Sequence, residues 1–272
     1  MPELPEVETT RRGISRLISG KQIAEVTIHN ARLRWPVPTR QLQQQLPGSS
    51  FKDVQRRAKY LLLDTGHGHV IMHLGMSGSL RVLDANTPLE KHDHVEICFT
   101  NRQSLRLRDP RRFGAVLWTA DDPHHHPLIA PLGPEPLDIG FTAEYLFHAT
   151  RKRRVAIKNL IMDARQVVGV GNIYACESLF MAGIRPGKAA GRLSRNECTR
   201  LVDEIRQVLS DAIKAGGTTL RDFSGTDGQP GYFSQSLFVY GRESEPCLQC
   251  GSPVKRRIIG QRSTFYCPVC QQ

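Results

Sequence analysis

The sequence predicts a multidomain α+β fold, in which strands come first, helices follow and a small cysteine-rich module ends the chain. Three observations predict it. The first half carries short β-branched and aliphatic runs between turn residues, with no helices among them, a pattern typical of a sandwich or a barrel. The second half places apolar residues at helical spacing. Two pairs of cysteines then close the chain.

The N-terminal half begins with one helix and continues as strands. Val7, Ile14, Leu17 and Ile18 fall on one face of the helix, and Gly20 ends it. Turn residues such as the Gly66-His67-Gly68 run separate the strands. The predicted strands are residues 22–30, 51–64, 68–74, 79–83, 93–99, 104–108 and 114–118.

A proline-rich connection, residues 123–136, follows the strands and contains three consecutive histidines. Adjacent residues cannot easily turn all their side chains to one ion. We therefore interpret His124, His125 and His126 as part of a solvated linker rather than as a metal site.

The helical half is clearest over residues 194–215. Ser194 and Glu197 form a capping box, and two glycines end the helix. Its buried stripe comprises Leu201, Ile205, Val208, Leu209, Ala212 and Ile213. Shorter helices are predicted over residues 142–149, 154–163 and 172–182. The glycine-rich residues 224–231 are either an idle linker or a mobile lid.

The four closing cysteines have the spacing of a zinc site. Cys247 and Cys250 form one CxxC pair, and Cys267 and Cys270 form a second pair after sixteen residues. Each pair can turn two thiolates to one Zn²⁺, and a hairpin between the pairs would bring them together. The alternative of two disulfides needs an oxidising compartment, and the sequence shows no secretion signal. We expect one structural Zn²⁺ in a ribbon whose basic hairpin contacts nucleic acid.

The chain is strongly basic, which predicts a polyanionic partner. It has 37 Lys+Arg against 26 Asp+Glu and a formal net charge of +11. Such a charge favours phosphate contacts, although a merely basic soluble protein is the alternative on charge alone. No apolar run reaches about 18 residues, so no membrane span is expected. Cys98, Cys176 and Cys198 lack ligand spacing, and we expect them to be reduced and buried in a cytosolic protein.

The first residues offer a possible nucleophile. If Met1 is removed, Pro2 becomes a free secondary amine. An α-amine has a pKa of about 8 against about 10.4 for lysine, so much more of it is neutral at pH 7. Its attack on an aldehyde-level carbon gives an iminium, which promotes elimination, and Glu3 is the adjacent acid/base candidate. The alternative is that proline and glutamate here are ordinary first-turn helix residues.

Six motifs in order along the whole chain resemble those of bacterial formamidopyrimidine-DNA glycosylases. They are Pro2-Glu3-Leu4-Pro5-Glu6-Val7-Glu8-Thr9, Arg57-Ala58-Lys59-Tyr60, His73-Leu74-Gly75-Met76-Ser77-Gly78, Asp109-Pro110-Arg111-Arg112-Phe113-Gly114, residues 169–174 and the zinc ribbon. The sister family, endonuclease VIII, typically has glycine at the position of Leu4. The resemblance implies an N-terminal β-sandwich with its leading helix, a helix–two-turns–helix domain and a C-terminal zinc ribbon.

The resemblance also implies a bifunctional enzyme of base-excision repair. Members of the family remove 8-oxoguanine and formamidopyrimidines and then cut the strand by β- and δ-elimination. The resemblance assigns Pro2 as the Schiff-base nucleophile and Glu3 as its acid/base partner. Lys59, on the strand after Arg56 and Arg57, matches a lysine that assists base loss. Arg262, at the ribbon tip, matches an arginine that serves δ-elimination.

Further residues match family contacts to DNA. Met76, Arg111 and Phe113 match an apolar arm, a reader of the orphaned cytosine and a wedge, which fill the space left by a flipped base. Core packing is the alternative for Met76 and Phe113. The expected phosphate contacts are His73, His92, Arg112, Arg153 and Asn172. Residues 224–231 match a lid over the damaged base, with Thr218, Thr219 and Arg221 nearby.

The expected domains are a catalytic β-sandwich (1–122), a linker (123–140), a helical DNA-binding domain with the lid (141–231) and a zinc-ribbon finger (232–272). The expected partner is damaged double-stranded DNA, crossing between the two halves, and the expected state is a cytoplasmic bacterial monomer. Two rivals stay open. One is an endonuclease VIII-like enzyme for oxidised pyrimidines, and the other is a non-catalytic zinc-ribbon DNA-binding protein.

Overall fold

The computed structural model describes residues 2–217 and 237–272. It divides into two compact units, Met1–Ala130 with Gly216–Tyr232 and Pro131–Ala215 with Phe233–Gln272. Within the described residues, no helix is both long and apolar enough to cross a bilayer. The expected lid, residues 224–231 with Thr218, Thr219 and Arg221, lies outside the described residues, as does Met1.

The described part of the N-terminal unit contains two antiparallel sheets of four strands each. Its elements are α1 (Leu4–Ile18), β1 (Ile23–Ile28), α2 (Thr39–Gln45), β2 (Asp53–Arg57), β3 (Tyr60–Asp64), β4 (His69–His73), β5 (Ser79–Asp84), β6 (Asp93–Phe99), β7 (Gln103–Arg108) and β8 (Ala115–Thr119). One sheet has the order β1-β6-β7-β5 and the other β2-β3-β4-β8. The predicted strand over residues 51–64 was wrong in one respect. A turn at Ala58 and Lys59 divides it into β2 and β3, and α2 was not predicted.

One apolar core joins α1 to both sheets, which confirms the predicted sandwich. Val7, Ile14 and Ile18 of α1 are buried in the same cluster as Val95 of one sheet and Met72 of the other. Leu17 was predicted on this buried face but is 41% exposed. It lies about 60° around the helix from Ile14, at the edge of the apolar stripe and in the last turn.

A buried carboxylate fixes α1 against the sheet that contains β2. Glu8 accepts hydrogen bonds from Arg11 and Arg12 of its own helix and from Arg56 of β2, at 2.8–3.2 Å. Burial alone would raise the pKa of Glu8, but the three guanidinium groups hold it below its ordinary value. The helix, and therefore the residues at its N-terminus, is anchored by a charged contact in addition to its apolar face.

The second unit carries the helices and the ribbon. Its elements are α3 (Ala143–Thr150), α4 (Ile157–Ile161), α5 (Asn172–Met181), α6 (Arg195–Lys214), β9 (Lys255–Ile259) and β10 (Arg262–Tyr266). The predicted capping box is present at the start of α6, where Ser194 and Glu197 bond each other's backbone. The helix predicted over residues 154–163 is shorter, because Ala156 is extended and pairs with Ala189. Two of the three consecutive histidines, His124 and His125, lie in a short 3-10 turn in the first unit.

Candidate functional site

The first turn of α1 buries the chain's first described residues. Pro2 is buried, Glu3 is 3% exposed and Glu6 is 2% exposed. Glu3 and Glu6 form a reciprocal capping box in which the Glu3 N–H donates to Glu6 Oε2 at 2.8 Å. Gly217 lies against the same carboxylate, since a Cβ built there would be 3.1 Å from Glu6 Oε1. Pro2 is therefore buried directly before Glu3, whose N–H is held by the Glu6 carboxylate at a capped helix start.

Lys59 lies in a hairpin turn rather than on a strand. The two-residue turn joins β2 and β3, and Ala58 adopts a positive φ of 55° in it. Arg56 supports the turn by donating to the Ala58 carbonyl at 2.9 Å. The ammonium group of Lys59 is close enough to His73 to lower the pKa of that imidazole. The expectation of a strand position was wrong because a turn residue with positive φ has no sequence signal when it is not glycine or asparagine.

His73 ends β4 as a neutral imidazole. Burial, with the charges of Lys59 and Arg34, lowers its pKa from 6.5 to about 4. Its Nδ1 accepts a hydrogen bond from the Gly75 N–H at 2.9 Å, so the ring proton lies on Nε2. Its ring lies 4.9 Å from that of Tyr60, its partner in the sheet. At neutral pH His73 can donate one hydrogen bond, but it carries no charge.

Two adjacent loops carry the three residues expected to enter DNA. Residues 74–78 form the Met76 loop, and residues 109–114 form the Arg111–Phe113 loop. The backbones touch, because a Cβ on Gly75 would lie 2.4 Å from the Phe113 carbonyl carbon. Phe113 is 44% exposed and carries the Arg111 guanidinium 5.0 Å above its ring, while Met76 is half-buried. Core packing of Phe113 is thereby contradicted.

Two expected phosphate contacts, one within the Arg111–Phe113 loop and one bonded to it, have left-handed backbone conformations. His92 has a φ of 82° and is half-buried, and Arg112 has a φ of 55° and is exposed. Positive φ is costly for residues with a Cβ, so the surrounding structure must impose it. The His92 carbonyl accepts from the Asp109 N–H at 3.0 Å, which ties His92 to the Arg111–Phe113 loop.

The four closing cysteines converge as predicted. Their Sγ atoms all lie within 4.8 Å of one another. The Sγ atoms of Cys247 and Cys270 are 3.9 Å apart, and those of Cys250 and Cys267 are 3.5 Å apart. Zn–S bonds of about 2.3 Å in a tetrahedron place sulfurs about 3.8 Å apart, whereas a disulfide needs about 2 Å. The thiols therefore fit a zinc ion.

The chemistry of the donor set supports the same conclusion. Burial and the three neighbouring thiols raise the pKa of Cys270, and burial raises that of Cys267, whereas hydrogen bonds from Ser252 lower the pKa of Cys250 to about 6. Four thiolates therefore need a compensating cation at this position. A bound Zn²⁺ supplies it and cross-links the two knuckles.

The ribbon hairpin presents Arg262 at its tip. Gly260 and Gln261 form a two-residue turn with φ of 57° and 61°, and Ile259 pairs with Arg262 directly beyond it. Arg262 is thus the first residue of β10 and is exposed. The turn rests on α4, since a Cβ on Gly260 would lie 2.4 Å from Asn159 Oδ1. Lys255, Arg256 and Arg257 of β9 are also exposed.

A buried lysine that the sequence analysis missed connects α4, α5 and the ribbon. Lys158 is fully buried, and its Nζ donates to Asn172 Oδ1 at 2.5 Å and to Thr264 Oγ1 at 2.7 Å. Asn172, the first residue of α5, donates from Nδ2 to the Ser263 carbonyl at 3.0 Å. The side chain expected to contact phosphate therefore also holds the start of α5 against β10. Arg153, another expected contact, is exposed in the loop after α3.

We expect Lys158→Met to lower the free energy of unfolding of the zinc-loaded protein by about 2–4 kcal/mol, because it leaves buried hydrogen-bonding groups without their donor. Urea unfolding measures the loss. Lys188→Met is the matched control, since Lys188 pairs with Glu197 near the surface and its loss should cost under about 1 kcal/mol. Equal losses in the two variants would contradict the bridging role of Lys158.

Three family models match the chain, one each over the sandwich, the helical region and the ribbon. Residues 1–116 match the family model described as Formamidopyrimidine-DNA glycosylase N-terminal domain, residues 132–224 the Formamidopyrimidine-DNA glycosylase H2TH domain, and residues 244–272 the Zinc finger found in FPG and IleRS. Together with the sandwich and the four-cysteine site, these matches define a DNA-repair glycosylase of the zinc-finger class.

Relatives make the assignment specific. The chain is 60% identical to a formamidopyrimidine-DNA glycosylase of Thioalkalivibrio sulfidiphilus and 55% identical to one of Syntrophotalea carbinolica, each over 272 residues and 100% of both chains. The crystal structure of MutM (Fpg) from Thermus thermophilus is similar, with a TM-score of 0.89, 36% identity and coverage of 99% and 98%. Lactococcus lactis Fpg in complex with DNA containing an abasic site gives a TM-score of 0.92 at 34% identity, covering 99% of each chain.

The chain belongs to the formamidopyrimidine-DNA glycosylase family. It is accordingly an enzyme, a bifunctional DNA glycosylase and AP lyase with a four-cysteine zinc finger. The predictions of family, fold class, enzyme class and zinc site are thereby confirmed. The roles of individual residues stay predictions.

Proposed function

We propose that this enzyme excises 8-oxoguanine and formamidopyrimidines from duplex DNA and then cleaves the strand by β,δ-elimination through a Schiff base at Pro2. The observation that carries the proposal is the capped start of α1, which buries Pro2 directly before the buried carboxylate Glu3. Two relatives support the substrate class. Lactococcus lactis Fpg has been solved with Fapy-dG-containing DNA and with abasic-site DNA.

In the proposed mechanism Pro2, freed of Met1, attacks sugar C1′ as the bond from C1′ to the base breaks and the base leaves with a proton. Glu3 donates a proton to the ring oxygen, the sugar ring opens, and the amine proton is lost to give an iminium between Pro2 and C1′. The iminium acidifies the C2′ proton, whose removal expels the 3′ phosphate. A second elimination expels the 5′ phosphate, and we assign Lys59 and Arg262 to assist these steps.

The proposed DNA contacts are exposed or half-buried groups near the two loops and on the second unit. Met76, Arg111 and Phe113 would fill the space left by the flipped base, since they lie on adjacent loops and Phe113 exposes an apolar ring. We assign phosphate contacts to His73, His92, Arg112, Arg153 and Asn172. His73 would act as a neutral donor, because its lowered pKa leaves it uncharged at pH 7. Asn172 would contact phosphate with the same side-chain amide that donates to the Ser263 carbonyl of the ribbon.

The remaining expectations are also proposals. The expected lid, residues 224–231, and the expected removal of Met1 concern residues outside the described ranges. The domain limits of 1–122, 123–140, 141–231 and 232–272 stay predictions, as do a monomeric state, a cytoplasmic location and a DNA path between the two halves.

Single-turnover excision tests the substrate class. We expect release of 8-oxoguanine opposite cytosine and of a formamidopyrimidine to be at least about tenfold faster than release of thymine glycol, because the pocket must discriminate through hydrogen bonds to the base. Each duplex carries one lesion, and an undamaged duplex of the same sequence is the control. Faster release of thymine glycol would establish the endonuclease VIII-like rival.

A further inference from the structure

We propose that Asp109 is a positioning residue that joins the Met76 loop to the Arg111–Phe113 loop, so that the two loops enter DNA as one unit. The inference rests on the proposed insertion roles of Met76, Arg111 and Phe113. It adds a residue that makes no contact with DNA and acts through the loops it connects.

The carboxylate of Asp109 bridges the two loops. Its Oδ1 accepts from Ser77 Oγ at 3.2 Å, and its Oδ2 accepts from the Gly114 N–H at 2.7 Å. Asp109 is fully buried and Ser77 is 6% exposed. Hydrogen bonds to a charged acceptor are stronger than neutral ones, and a buried carboxylate that loses a donor is destabilised. The residue directly after Met76 and the residue directly after Phe113 are therefore held by one side chain.

The backbone of Asp109 is equally constrained. Its N–H donates to the His92 carbonyl at 3.0 Å, and its carbonyl accepts from His94 Nε2 at 2.9 Å and from the Arg112 N–H at 3.1 Å. Both ends of the Arg111–Phe113 loop are thus anchored at this residue. Both residues that bond the Asp109 backbone through their own backbones, His92 and Arg112, have a left-handed conformation.

The two loops are closely packed against each other at two glycines. A Cβ on Gly75 would lie 2.4 Å from the Phe113 carbonyl carbon and 2.5 Å from the Gly114 nitrogen. A Cβ on Gly114 would lie 2.8 Å from the His73 carbonyl oxygen and 3.0 Å from Asp109 Oδ2. The two loops are therefore neighbours at both glycines, and the Asp109 carboxylate is the side chain that fixes one against the other.

Three variants distinguish the bond of Asp109 to Ser77 from its bond to Gly114. Ser77→Ala removes the bond to the Met76 loop and keeps the bond to Gly114. Asp109→Ala removes both bonds. Asp109→Asn can keep both, because its amide oxygen can accept from Gly114 and its NH₂ can donate to the Ser77 hydroxyl, which accepts as well as donates.

The test is a cycle of excision rates at 8-oxoguanine opposite cytosine under single-turnover conditions. Met76→Ala, Phe113→Ala and the double variant are measured in the native background and again with Ser77→Ala. In the native background we expect the double variant to excise at least about threefold faster than the rate obtained by multiplying the two single rate losses. Coupled residues are non-additive, so the second substitution costs less once the first is made. With Ser77→Ala the effects should become multiplicative within about twofold.

The single substitutions give a second readout. Ser77→Ala should slow excision roughly two- to tenfold, the effect of one hydrogen bond, Asp109→Ala should slow it more, and Asp109→Asn should restore most of the rate. Asp64→Ala is the matched control. Asp64, the last residue of β3, also accepts the N–H of a glycine, Gly66, at 2.6 Å. It pairs with His69, at the end of β4 opposite His73, so the rate should not change.

Failure of the insertion roles and failure of the Asp109 bridge give different results. If Met76→Ala and Phe113→Ala each leave excision unchanged, the proposed insertion roles fail and the coupling fails with them. If both slow excision but their non-additivity persists in the Ser77→Ala background, the insertion roles stand and the bridge through Asp109 is overturned. Ser77→Ala carries the decision if Asp109→Ala does not fold.

Discussion

Protein that retains Met1 should bind damaged DNA but lose strand cleavage by on the order of a thousandfold or more, the scale seen when a nucleophile is removed. Retention turns the Pro2 nitrogen into an amide, whose lone pair is delocalised and cannot form an iminium. The same preparation treated with methionine aminopeptidase should regain cleavage, so the protein serves as its own control. Cleavage is measured on a duplex with one preformed abasic site.

A second control separates chemistry from helix structure. Pro5, in the first turn of α1, is buried like Pro2, but its nitrogen is never a terminus. Pro5→Ala should therefore keep cleavage within about tenfold of the native rate, since its effect is limited to the helix start. Borohydride should trap a covalent adduct at Pro2 in the treated protein and in Pro5→Ala only. Full cleavage by the Met1-retaining protein would rule out Pro2 as the nucleophile.

Local patterns in the sequence predicted the fold wherever one short segment determines the structure. The capping box at Ser194 and Glu197 and the paired cysteines need only their own spacing to be recognised. Leu17 shows the limit of that reasoning, because the edge of an apolar stripe is set by what packs against it. The turn at Ala58 and Lys59 shows a second limit. It is closed by the pairing of Arg57 with Tyr60 across the strands, and neither of its residues is a type that marks a turn in a sequence.

Contacts between distant segments could not be read from the sequence. Lys158 bonds Thr264, which lies 106 positions away, and in the sequence it is one of many basic residues. Glu177 of α5 accepts the N–H groups of Phe238, Val239 and Tyr240, which hold the segment that leads into the ribbon. Asp109 belongs to a recognised motif, yet its bond to Ser77 appears only when the loops are folded. Catalytic residue types are visible in a sequence, whereas the residues that position them are not.

Cys250→Ser should release zinc and weaken binding to an abasic-site duplex by roughly tenfold or more, because a structural zinc site folds its own module. The ribbon shares an apolar cluster with α5, in which Val254 and Phe265 pack with Phe180. Without the ion the two knuckles separate, and the hairpin that presents Arg262 and the basic side chains of β9 loses its support. Zinc content and binding affinity, both measured at one fixed salt concentration, give the result.

Matched variants make the loss specific to the ribbon. Cys98→Ser removes a partly exposed cysteine of the N-terminal sandwich and should leave both zinc and affinity unchanged. Far-UV circular dichroism should show that the strands persist in Cys250→Ser, since the core around Val95 and Met72 contains no ribbon residue. If the zinc-free protein bound the duplex with native affinity, the ion would not be needed to position Arg262 for DNA binding. The phosphate contacts would then have to come from the sandwich and the helices alone.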